Sequence, residues 1–119
     1  MSWVVYGSLA LLVGVALGAF GAHALAGRLS PESRHLYQTA VFYHLIHGLG
    51  LLAVGWVATV KPTESLVRNA GWAFLVGIVL FSGSLYLLSV TGIKKLGMIT
   101  PIGGLAFLFG WLWLAVAAR

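Results

Sequence analysis

Two histidines, His44 and His47, stand inside an apolar run over 37–60 that contains no Lys, Arg, Asp or Glu, and their position there restricts the fold more than any other feature. At about 1.5 Å rise per residue, a helix over this run crosses the ~30 Å hydrocarbon core of a bilayer. His47 then falls near the midplane and His44 about one turn from it. An ionisable side chain at that depth has to face protein or trapped water. Helical spacing puts both imidazoles on one face with Tyr37, Ala40, Gly48, Leu51 and Gly55. The other apolar segments are expected to wall in this seam.

Composition says how many walls there are. Of 119 residues, 61% are hydrophobic and 8% charged, against about a quarter charged in soluble domains. The chain reads as an all-α integral membrane protein. At about 20 apolar residues per crossing, four transmembrane helices with short turns fill it, packed as a compact antiparallel bundle. The expected helices are 3–25, 31–60, 65–91 and 100–118, forming a single domain over 1–119. Ala24-Leu25-Ala26 before Gly27 mimics a signal-peptidase site, but no basic residue precedes the apolar run, so the segment is read as a retained span.

The net charge of +5 does not make a nucleic-acid surface. The basic residues are scattered near helix ends, with no patch to track phosphates; their expected partner is the lipid headgroup layer. The absence of cysteine excludes disulfides, thiolate metal sites and cysteine nucleophiles.

Helix signals support these limits. Ser30-Pro31-Glu32 reads as cap, first-turn proline and first-turn acid, and Lys61 before Pro62 ends the second helix. Thr63-Glu64 repeats the cap-then-acid pattern, Gly92 can end the third helix, and Thr100-Pro101 opens the fourth. Gly7, Gly14, Gly18 and Gly21 form a small-residue seam on the first helix, of the kind that lets membrane helices approach closely. Gly77 and Gly83 on the third helix and Gly103, Gly104 and Gly110 on the fourth add further smooth faces. These faces exceed what one four-helix core needs, so some are expected to meet another chain, either a second copy or a membrane complex. Ser82, Ser84 and Tyr86 make the third helix the second most polar intramembrane patch. Trp111 and Trp113 are expected near the far interface.

Four stretches together resemble the family named domain of unknown function 423. They are Gly18-Ala19-Phe20-Gly21-Ala22-His23, then Tyr43 with His47 and Leu49, then Leu80-Phe81-Ser82-Gly83-Ser84-Leu85-Tyr86, and finally Thr100-Pro101-Ile102-Gly103-Gly104 with Gly110-Trp111. His23 and His47 fall on the family pattern; His44 does not. The resemblance implies a four-helix membrane protein with no agreed activity, so it carries no catalytic residues across. Loop charges split four to three and leave orientation open. The resemblance favours both termini in the cytoplasm, in a bacterial inner (plasma) membrane.

The candidate polar intramembrane site is thus His23, Tyr43, His44, His47, Ser82, Ser84 and Tyr86. Imidazoles at i and i+3 can share a metal ion, but His23 and His35 should lie ~10 Å or more above His47 along the membrane normal. The only acids, Glu32 and Glu64, sit in loops or first turns, so no carboxylate-bridged metal pair is expected in the bundle. Neither a metal nor another cofactor is expected. No serine–histidine–acid set, phosphate loop or acid pair points to an enzyme. The leading expectation is a structural or accessory membrane protein acting by helix association. The alternative is a small transporter moving protons or ions through the histidine seam.

Overall fold

The computed structural model describes residues 2–119. Its elements are α1 (Trp3–His23), α2 (Pro31–Val60), α3 (Ser65–Gly77), a π-helical segment (Ile78–Ser82), α4 (Gly83–Thr91), a 3₁₀ segment (Lys94–Met98) and α5 (Thr100–Ala118). Four spans are long and apolar enough to cross a membrane: Trp3–His23, Pro31–Val60, Ser65–Thr91 and Lys94–Ala118. The bundle measures 48 × 26 × 19 Å. α1 packs along α2 and α5 along α3, while α2 also meets α3, the π segment, α4 and α5. The histidine helix is the central element.

Local chemistry accounts for most boundaries. The Ser30 side chain accepts the Ser33 amide at 3.1 Å, as expected for an N-cap ahead of Pro31. Gly92 takes φ 72°, the left-handed conformation that glycine adopts without a Cβ clash, and its amide closes on the Leu88 carbonyl at 2.9 Å. α1 stops at His23, short of the expected 25, because the amides of Ala24 and Leu25 both turn onto the Phe20 carbonyl. Two expected caps are absent. Glu64 occupies the N-cap position of α3 without a side-chain bond, and α5 begins at Thr100 behind an uncapped Ile99. The Thr100 hydroxyl pairs instead with Ser84 Oγ at 2.6 Å.

The third span is not one continuous α-helix. At Gly83 the amide bonds the Ile78 carbonyl five residues back, so the turn over Ile78–Ser82 is widened by one residue. A Cβ on Gly103 would overlap the backbone nitrogen of Phe81. α5 therefore lies directly against the backbone of the widened turn, an approach only glycine permits.

The glycines of α1 also face inward, onto α2. A Cβ on Gly7 would lie 2.8 Å from Leu52 Cδ2 and 3.0 Å from the Gly48 carbonyl oxygen; on Gly14 it would lie 2.8 Å from Leu45 Cδ2; on Gly18, 3.3 Å from Val41 Cγ1; on Gly21 it would run into the Tyr37 ring. Gly77 is filled by Phe107 and Gly110 by Phe74 in the same way. These glycines are consumed within the chain. Gly83 and Gly104 are not consumed in this way: an added Cβ at either meets nothing closer than 3.8 Å.

Apolar and polar packing occupy different halves of the bundle. The core of Trp3, Leu51, Val54, Val57, Val67, Ala70, Phe74, Phe107, Leu114 and Ala117 gathers toward the end that carries both termini. The interhelical hydrogen bonds gather toward the opposite end, around Tyr37, His44, Ser82, Ser84 and Tyr86.

Candidate functional site

His44 and His47 are both buried, at 4% and 3% exposure, on the α2 face that also buries Tyr37, Ala40, Gly48, Leu51 and Gly55. His47 lies at the junction of the two halves. Its Nδ1 is 2.7 Å from the Tyr43 carbonyl oxygen one turn back, an acceptor, so Nδ1 carries the proton. Nε2 is left as a lone pair and accepts the Trp111 indole N–H at 3.0 Å. The ring lies on Phe107, with centroids 3.5 Å apart and planes 7° apart, and meets Phe74 edge-on at 5.4 Å. Both nitrogens and one face are therefore occupied, with the neutral tautomer set by its partners.

His44 turns the other way. Its Nδ1 is 2.8 Å from Tyr86 Oη on α4, and the far side of the ring faces α1, where a Cβ on Gly14 would lie 3.4 Å from Nε2. The ring nitrogen and the hydroxyl share one proton between them, donated by whichever the ring tautomer sets. This imidazole ties the third span onto the second and packs against the first. Tyr37 adds a parallel tie, donating to the Leu17 carbonyl at 2.5 Å while its ring meets Tyr86 edge-on at 5.2 Å. Ser82 is fully buried and donates to the Ala40 carbonyl at 2.8 Å. Ser84 returns to the Phe81 carbonyl at 2.9 Å and pairs with Thr100. Among the described residues, no buried side-chain nitrogen or oxygen lacks a hydrogen-bond partner.

Of the expected site residues, the structure joins His44 to Tyr86, joins His47 to the Tyr43 backbone, sets Ser82 on the Ala40 carbonyl of α2, and pairs Ser84 with Thr100 instead. It does not bring in His23, which is exposed at the end of α1; that assignment is corrected, because the seam lies on α2 below it. Tyr43 contributes a carbonyl and a ring packed on Phe81 at 4.6 Å, but is 37% exposed. The two imidazoles do not converge on a shared point. Among the described residues, no cluster of three or more His, Cys, Asp or Glu side chains is arranged to hold a metal ion.

Sequence reasoning missed Trp111 and Thr100. Trp111 is not at the far interface but bonds the deepest histidine. The signal was available: an indole N–H in an apolar span needs an acceptor, and Trp111 lies i+4 from Phe107 on the same helix face. Thr100 was read as a cap because threonine before proline is usually one; only the proximity of Ser84 redirects its hydroxyl.

Comparison with known proteins agrees with this architecture. The profile of the family described as "Protein of unknown function (DUF423)" matches residues 17–104. The chain is 47% identical over 116 residues to the UPF0382 membrane protein YwdK of Bacillus subtilis strain 168, covering 98% of this chain and 94% of that protein. It is 45% identical over 115 residues to the UPF0382 membrane protein SH2409 of Staphylococcus haemolyticus, covering 97% and 93%. No solved structure matches.

Proposed function

Because the chain belongs to the DUF423 family of membrane proteins, whose description assigns no activity, we propose from its geometry that it is a structural or accessory protein of the bacterial plasma membrane. On this reading it is not an enzyme, and it works by helix association with copies of itself or with a larger membrane complex, with both termini in the cytoplasm. One observation carries the reading: among the described residues no buried side-chain nitrogen or oxygen lacks a hydrogen-bond partner within the chain, so the buried seam holds no unpaired group for a ligand. α1 is the least buried of the four spans. Its buried residues are Trp3, Gly7 and Gly14, while Val5, Leu9, Leu12, Val15 and Phe20 face outward, interleaved with exposed Ser8, Ala16 and Ala19. Small residues between larger ones are what membrane helices use to pack without a hydrophobic driving force.

Proton or ion transport through the seam asks more of the molecule. His47 would have to release Trp111 before Nε2 could take a proton, and His44 would have to release Tyr86.

The test is native mass in lipid nanodiscs together with recovery of co-purifying proteins. A defined oligomer or a stoichiometric partner is expected, lost on Ala16→Trp or Ala19→Trp; a solitary monomer, or assembly indifferent to both substitutions, would overturn α1 as the contact face. His47→Gln is expected to preserve folding and cellular phenotype. Loss of phenotype in a folded His47→Gln protein would move the assignment to transport.

A further inference from the structure

The end of the bundle away from the termini is incompletely filled. Where α1 runs out and α2 enters the membrane, a cleft of about 500 Å³ opens between them, within the range of ligand pockets of about 300–1,000 Å³. Its α1 wall is Gly18, Gly21 and Ala22, positions with little or no side chain, and its α2 wall includes Val41, Phe42 and Leu45. Polar groups occur at one end only. Arg34 and Gln38 line that end, and both are exposed.

The dimensions match one leaflet. Arg34 and Leu45 are eleven residues apart on one helix, roughly 16 Å at 1.5 Å per residue, about half of a ~30 Å hydrocarbon core. With 37–60 inside the bilayer, Arg34 sits about one turn outside it, at headgroup depth. The Arg34 Nη2 group donates to the Ala26 carbonyl, which steadies the guanidinium at the cleft mouth. A guanidinium has five N–H donors, so most of them stay available to an anion, and phosphate is the anion its planar fork suits best. Arg28 lies nearby in the α1–α2 turn and is also exposed. The single acid at this end, Glu32, is exposed and does not line the cleft.

We propose that this cleft binds one anionic phospholipid from the leaflet opposite the termini, with an acyl chain lying along Gly18, Gly21 and Val41 and the headgroup phosphate held by Arg34 with help from Gln38. Charge complementarity selects an anionic headgroup, and the apolar, leaflet-long trough selects a membrane lipid over a soluble phosphate.

The experiment is native mass spectrometry of the full chain released from nanodiscs of phosphatidylglycerol mixed equally with phosphatidylcholine, reading lipids retained per chain. One phosphatidylglycerol is expected to survive activation that strips the rest. Arg34→Ala is expected to weaken retention about tenfold, the size of one lost charge-assisted bond, and an Arg68→Ala control at the opposite end to leave it unchanged. Since Arg34 also steadies the turn, Ala22→Phe provides a second variant that fills the cleft and leaves Arg34 in place; it is expected to abolish retention. Equal retention of the two lipids, or retention unaltered in Ala22→Phe, would overturn the proposal.

Discussion

The Trp111 to His47 bond shows how a single polar residue is tolerated at mid-membrane depth. An imidazole there is costly unless both nitrogens are engaged; the Tyr43 carbonyl takes one and the indole the other. Trp111→Phe removes the donor and leaves Nε2 with a buried lone pair. Interhelical hydrogen bonds in membranes average ~0.6 kcal/mol and reach ~1.7, so Trp111→Phe is expected to cost about 1 kcal/mol in equilibrium unfolding from mixed micelles. Tyr86→Phe should cost about the same, since it strips the hydroxyl partner from His44. If neither variant shifts the unfolding midpoint, the two imidazoles are not ties between spans. The seam itself was legible in the sequence, because period 3.6 puts His44 and His47 on one face. Their partners were not: Tyr86 and Trp111 lie on two other spans, and no local pattern encodes which of them a ring will meet.

Among the elements, the π segment and the glycine faces decide how closely the spans approach. Gly103→Ala would force a methyl group into the backbone of Phe81, where no side-chain rotation can relieve it. A loss of about 1–3 kcal/mol, the range for overpacking, is expected in the same unfolding assay. Gly83→Ala is the contrasting case. Its Cβ meets nothing closer than 3.9 Å, so the gain in helix propensity of up to about 1 kcal/mol should leave stability unchanged or raised. Equal damage from both would mean that α5 does not rest on the widened turn. Gly14→Leu and Gly18→Leu are expected to separate α1 from α2, reducing the folded yield without changing the assembly state of the protein that does fold. A clean change in oligomer size instead would place those glycines on an outer face. Sequence spacing marked Gly14, Gly18 and Gly21 as packing glycines, but it could not distinguish a contact inside the chain from one between chains, since both need the same missing side chain.

At the scale of the molecule, packing and hydrogen bonding divide the bundle between them, and Phe74 stands where they meet. It is fully buried, touches His47 and Trp111 edge-on or tilted, and fills the space that Gly110 leaves. Phe→Ala in a core costs about 3–5 kcal/mol, so Phe74→Ala is expected to exceed any single hydrogen-bond deletion, and a smaller effect than that of Trp111→Phe would show that polar ties dominate. The number of spans, the interior position of His44 and His47 and the glycine faces were set by the sequence alone, because each depends on hydropathy and helical period, which are local. The widened turn over Ile78–Ser82, the redirection of Thr100 and Trp111, the inward use of the α1 glycines and the cleft beside Arg34 were decided only in the tertiary structure. Each depends on which backbone or side chain from a distant part of the chain arrives at that point, and in a bundle held by contact and hydrogen bonding, that arrival is settled by all four spans at once.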